Sequence, residues 1–235
     1  MQFVASLIYT TFFLFFTFGY GVLFCIVAPV LPFRARFMLA RIWAGTLLLA
    51  LKVICRLDYR VEGAENLPAE ASIALVKHSS SWETFAQAWL LPPQAWVLKR
   101  ELTWIPFVGW GIRLLRGIAI DRGAGGAAVR QMIEQGRERL ASGMWIVVFP
   151  EGTRMAPGQT RRYGVGGAAV ASETGALIVP VAHNAGFFWP RRGLMKKPGT
   201  IRVVIGRPIV TKGRDAREIN EEAQRFIEAN SGPPG

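Results

Sequence analysis

Ser72-Ile73-Ala74-Leu75-Val76 runs directly into Lys77-His78-Ser79-Ser80-Ser81-Trp82-Glu83. The first five residues have the length and apolar content of a strand. Residues 81–91 carry a helical pattern, so the histidine falls on a strand-to-helix turn. In a domain of alternating strands and helices that turn opens into the crevice at the carboxyl ends of the strands, where functional side chains converge. A histidine, a hydroxyl cluster and a carboxylate thus lie within six positions, and the chain has one other histidine, His183.

Downstream, strand signals at 94–98, 117–121, 144–149, 176–182 and 201–205 are separated by helical patterns at 127–141 and 163–173 and followed by an amphipathic helix at 215–228. The continuous apolar run at 144–149 reads as a strand buried on both faces. Alternation of this kind predicts an α/β domain with a mixed, largely parallel sheet flanked by helices.

Upstream, residues 2–33 form 32 positions without a charge, whereas about 20 apolar residues suffice to cross a bilayer as a helix. A signal peptide competes for this segment, but its basic start and small-residue cleavage site are missing. A second helical run at 37–57 carries Arg41, Lys52 and Arg56 and leaves ten uncharged residues in its centre. It reads as an interfacial or hairpin helix beside the first, with a second span as the alternative. Arg34, Arg36 and Arg41 place the remaining chain on the cytoplasmic face, in a bacterial setting that of the inner membrane. Composition changes at 58–70, which divides the chain into an anchor, 1–57, and a main domain, 58–235.

The net charge of +12 calls for an anionic partner. Ten basic residues stand against one acid, Glu173, between Gly152 and Lys212. A leading membrane helix and the lack of a nucleic-acid motif argue against nucleic acid, so the expected partners are membrane lipids. Two segments, 104–110 and 187–192, mix aromatic and basic residues in the manner of a rim facing headgroups. Cys25 and Cys55 have neither the number nor the spacing for a disulfide framework or a zinc site.

His78 suits a general base, and Glu83, five residues on, is placed to reach back and fix its tautomer. Ser80-x-x-Glu83 is also a capping box, in which the glutamate serves only the free N–H of the cap. Phe149-Pro150-Glu151-Gly152-Thr153-Arg154 follows the buried strand and emerges at the same sheet edge. Its glycine permits close backbone approach, its threonine offers a hydroxyl, and its arginine a fork suited to phosphate oxygens. The bland alternative is an ordinary turn with a salt bridge from Glu151. His183 reads as structural or pocket-lining.

His78 with its acid, Gly117-Ile118-Ala119-Ile120-Asp121-Arg122, Phe149 to Arg154, and Val179-Pro180-Val181 resemble, in order and spacing, the four sequence blocks of the glycerolipid acyltransferases typified by 1-acylglycerol-3-phosphate acyltransferase. The resemblance covers about residues 58–212, and the apolar N-terminal helices look like the membrane anchor of bacterial members. It implies a glycerol-3-phosphate acyltransferase-like fold and acyl transfer, without a metal or other cofactor, from acyl-CoA or acyl-carrier protein to the free hydroxyl of 1-acyl-sn-glycerol 3-phosphate, giving phosphatidic acid. It further implies that His78 deprotonates that hydroxyl, that Arg122 and Arg154, helped by Lys99, hold the acceptor phosphate, and that Glu151, Gly152 and Thr153 shape its pocket. The family usually has aspartate where this chain has Glu83, whose extra methylene displaces the carboxylate by roughly a bond length. Two alternatives stay open: the same chemistry on another lysolipid, and a lipid-binding protein without turnover.

Overall fold

The computed structural model describes residues 1–234, except for the side chain of Arg122. Helices α1 (Gln2–Val27) and α2 (Phe33–Cys55) lead into β1 (Leu57–Glu62), β2 (Ile73–Val76), α3 (Glu83–Leu90), β3 (Gln94–Lys99), α4 (Val108–Leu114), β4 (Ile118–Ile120), α5 (Gly126–Ala141) and β5 (Trp145–Val148). Then come α6 (Gly166–Thr174), β6 (Ile178–His183), α7 (Ala185–Phe188), β7 (Gly199–Ile205) and α8 (Ala216–Ala229). The strands form one sheet in the order β1-β7-β6-β2-β5-β3-β4. Its one antiparallel pairing among the described residues is β6 with β7, which gives the mixed, largely parallel sheet expected.

Burial explains the order. Every residue of β2, β5 and β6 is buried, so these apolar strands take the centre, where helices cover both faces. On one face Ala74, Val76, Val147 and Val181 pack against α1, α2 and α3. On the other, Ile73, Leu75, Ile146 and Ile178 pack against α5, α6 and α8. Alternation along a strand therefore sends consecutive side chains to opposite helical layers.

Residues 58–70, read above as the change between anchor and domain, include most of β1, which pairs in parallel with β7 from Leu57↔Gly199 to Glu62↔Val204. Leu57, Tyr59 and Val61 turn to the core, while Asp58, Arg60 and Glu62 fall on the other face. One buried face on a charged edge strand leaves a polar overall composition.

The N-terminal helices form an antiparallel hairpin. Tyr20 Oη donates to Leu39 O at 2.8 Å, Trp43 Nε1 to Thr17 Oγ1 at 3.3 Å and Tyr9 Oη to Leu47 O at 3.3 Å. Both are long and apolar enough to cross a membrane by length and composition. Phe15 and Phe18 of α1 are 76% and 63% exposed, as are much of Ile42 and Val53 of α2. The opposite face of α2 is part of the main core: Leu47, Leu51 and Cys55 are fully buried. The second helix is thus a hairpin partner and a wall of the domain at once.

Candidate active site

Strand β2 ends at Val76, and period two turns Lys77 toward the α8 layer and His78 toward the α3 layer. The His78 ring stacks on Phe149 with centroids 4.2 Å apart and planes 21° apart, which fixes its plane. Its Nδ1 lies 2.9 Å from Glu83 Oε1. Glu83 is buried and also accepts from Ser79 N at 3.1 Å and Ser80 N at 2.9 Å. Both readings of this acid are therefore met in part. It accepts the Ser80 N–H as a capping box requires, but Ser80 Oγ accepts from Trp82 N at 3.1 Å and donates to Trp189 O at 2.6 Å. The acid is thereby fixed by backbone and aimed at the imidazole.

Burial alone would push the Glu83 carboxyl up; the His78 hydrogen bond, electrostatic attraction to the His183 and His78 rings and the Ser80 N–H outweigh it and hold the group below its ordinary value. An ionised Glu83 accepts a hydrogen bond from His78 Nδ1–H, which leaves Nε2 with the free lone pair. Burial pushes His183 down, toward the neutral form. Its Nε2 donates to Lys77 O at 2.8 Å and its Nδ1 accepts from Ala185 N at 3.3 Å, so both ring nitrogens serve the backbone.

The strand order places β5 beside β2, with Leu75 opposite Val148. The segment after β5 consequently meets His78: Glu151 Oε2 accepts from His78 N at 2.9 Å, and Met155 N donates to His78 O at 2.8 Å. The Glu151 carboxylate points inward, fully buried, with Lys77 Nζ 3.0 Å from Oε1. Gly152 turns at φ 69°, in the left-handed region that favours glycine, and carries the chain outward to Thr153 and Arg154. Arg154 Nε is buried and makes no hydrogen bond among the described residues. A guanidinium donor held out of water without a partner is a site for an anionic oxygen.

The His78–Glu83 pair is thus tied through the His78 backbone to the segment that carries Arg154, whose buried Nε makes no hydrogen bond among the described residues. A family model described as Acyltransferase matches residues 58–184. Over 214 residues the chain is 42% identical to the 1-acyl-sn-glycerol-3-phosphate acyltransferase of Pseudomonas aeruginosa, covering 89% of this chain and 83% of that protein. The chain belongs to the 1-acyl-sn-glycerol-3-phosphate acyltransferase family. The family enzyme of Cocos nucifera is 30% identical over 68% of this chain and 52% of its own. The crystal structure of the 1-acyl-sn-glycerophosphate acyltransferase of Thermotoga maritima superposes with a TM-score of 0.81 over 97% of this chain and 95% of that one, at 24% identity; it shares the fold, N-terminal helices included.

Within this acyltransferase the remaining candidates lie along the same sheet edge. Trp96 pairs with Val147, and Lys99 with Ile120, so Lys99 stands level with Pro150, and Arg122 lies two positions further out. Lys99 Nζ is half exposed and engaged by Glu101 at 2.9 Å; no described contact brings it to His78 or Arg154. The backbone of Arg122 opens a 3₁₀ turn capped by Asp121, which accepts Gly123 N at 3.0 Å; its side chain lies outside the described residues. Three contributors escaped the sequence reading: Lys77, Tyr163 and Glu228. A charged residue ending an all-buried strand was the available signal for Lys77. Glu228 meets it from 151 positions away, and Tyr163 is linked to it through Glu228.

Proposed function

We propose that this enzyme moves a fatty acyl group from acyl-CoA or acyl-carrier protein to the free hydroxyl of 1-acyl-sn-glycerol 3-phosphate, giving phosphatidic acid. The observation that carries it is the 2.9 Å contact of His78 Nδ1 with a buried Glu83, on a backbone joined by Met155 N to the segment bearing Arg154, whose Nε has no partner among the described residues. Arg154 and Arg122 bind the phosphate, and the hydroxyl presents its proton to His78 Nε2. As that proton moves to the imidazole, the oxygen adds to the thioester carbonyl; the tetrahedral adduct collapses with cleavage of the C–S bond, and the imidazolium returns the proton to the departing thiolate. General base assistance of this kind contributes about 10²–10⁴ in rate. Glu83 stabilises the imidazolium in between.

The hairpin supports a setting in the bacterial inner membrane, with the site on the cytoplasmic face and lipid substrate arriving from the bilayer. Exposed Trp104, Ile105, Val108 and Trp110 adjoin α1 through Phe107, whose ring meets Phe18 at 5.8 Å, and extend its apolar surface.

The test supplies lysophosphatidic acid with labelled acyl-CoA or acyl-carrier protein to the wild type and to His78→Ala. Phosphatidic acid from the wild type alone is the expected result. Product from both proteins sinks the base mechanism. Product only with another lysolipid corrects the acceptor, and lipid binding without turnover by the wild type favours a binding protein.

A further inference from the structure

The polar face of α8 takes no part in the chemistry above, yet it touches the site. Asn220, Gln224 and Glu228, spaced four apart, form one stripe on that helix. All three hold Tyr163, at the far end of the loop that carries Arg154. Asn220 Nδ2 donates to Tyr163 O at 3.2 Å, Gln224 Oε1 accepts from Tyr163 N at 3.4 Å, and Tyr163 Oη donates to Glu228 Oε1 at 2.6 Å. Gln224 Nε2 also donates to Arg161 O at 3.1 Å. The near end is held from the other side, since Glu151 Oε2 and Met155 N take the backbone N–H and C=O of His78. Lys77 joins the two ends. Its Nζ donates to Glu228 at 2.8 and 2.9 Å and to Gln159 O at 3.3 Å, and stands 3.0 Å from Glu151 Oε1.

We propose that Glu228 is a positioning residue for acyl transfer: through Lys77 and Tyr163 it clamps the loop bearing Arg154 against the backbone of His78. This rests on the function proposed above. Consecutive residues of one strand end divide the work, with His78 on the reacting face and Lys77 on the face that α8 covers. A salt bridge at this depth offers little stability for its desolvation cost, and its attested use is to specify one arrangement. The arrangement specified here sets the separation of the base from the anion clamp, and misplacement of such groups by about 1 Å costs on the order of 10²-fold in rate.

The charged and titratable groups facing the Glu151 carboxylate are Lys77 from β2, Glu228 from α8 and Tyr163 from the loop. Burial pushes Glu151 up to about 7, Lys77 opposes this, and Glu228 adds to it. Ionised Glu151 is the better acceptor for the His78 N–H, so removing Lys77 and removing the Glu228 charge act on it in opposite directions.

The experiment measures kcat against pH for the full chain in vesicles, with lysophosphatidic acid and acyl-CoA or acyl-carrier protein, whichever the wild type uses. Glu228→Ala is expected to lose about tenfold in kcat, and Glu228→Gln, which keeps an acceptor for Tyr163 and Lys77, to recover at least half of the wild-type value. The acid limb of the profile should move to higher pH in Lys77→Met and to lower pH in Glu228→Gln. Wild-type kcat in Glu228→Ala, or acid limbs that move together or not at all, overturns the proposal; general destabilisation would give no opposed shifts. Should Lys77→Met fail to fold, the Ala and Gln variants at the partly exposed Glu228 decide alone. A wild type without transfer activity overturns the proposed function and this inference with it; transfer by the wild type with an indifferent Glu228 overturns this inference only.

Discussion

Glu83 Oε1 lies 2.9 Å from His78 Nδ1 while the same carboxylate accepts the N–H groups of Ser79 and Ser80. The acid is thus held by backbone before it meets the imidazole. Glu83→Gln keeps the shape but offers an amide with no charge to stabilise the imidazolium. The expected loss in kcat is about 10²–10⁴, the scale of general base catalysis, with acceptor KM little changed. Glu83→Ala should also lower stability by roughly 1–3 kcal/mol by stranding buried N–H groups, read as a fall in Tm. Near-native turnover in Glu83→Ala would return the residue to helix capping.

Arg154 predicts a different split. Hydrogen bonds to charged groups are worth about 1.5–3 kcal/mol, roughly 10- to 150-fold. Arg154→Ala should raise acceptor KM by that order, and Arg154→Lys should recover only part, because an ammonium lacks the planar fork. Steady-state kinetics with lysophosphatidic acid as the varied substrate provides the check.

Stability against pH should carry two opposed carboxylate contributions. Glu83 is held below its ordinary value, so its stabilisation is present above that value and is lost as pH falls through the lowered one. Glu151 is raised from 4.5 to about 7. Between these values the unfolded chain has released a proton that the folded chain retains, so stability falls as pH rises across that window. Glu151→Gln, which keeps a carbonyl for His78 N, should gain Tm relative to wild type from about pH 4.5 to about pH 7 and hold that gain above it. Thermal melts of both proteins across this range test the sign.

Leu47, Leu51 and Cys55 of α2 are fully buried in the same core as Val76, Phe85 and Val179. Removal of residues 1–57 should therefore yield an aggregating chain and not a soluble enzyme. Leu51→Ala alone should cost about 2–5 kcal/mol. A monomeric, cooperatively melting fragment 58–235 would show that the hairpin is dispensable to the fold.

Trp104 and Trp110 are exposed beside α1. Replacing both with serine should weaken binding to anionic vesicles while leaving turnover of substrate in detergent micelles near wild type. Flotation assays paired with micelle kinetics separate the two effects.

Much of this was open to a reader of the sequence because its causes are local. Apolar runs at 72–76, 144–149 and 176–182 declare buried strands, the uncharged opening 2–33 declares a membrane helix, and Gly143, at φ 75°, follows the end of α5. His78, Glu83 and the Phe149–Arg154 block were visible as residue types at fixed spacing. The tertiary structure alone decided which neighbours each strand took. Placing β5 beside β2 joins residues 78 and 151, turns Glu151 inward, and lets α8 reach Lys77 across 151 positions. Pairing β1 with β7 makes a strand of a charged stretch. Sequence sets the propensities and faces of each element, but contacts between distant elements arise only when those faces are buried together, and no local pattern records which partner completes the burial.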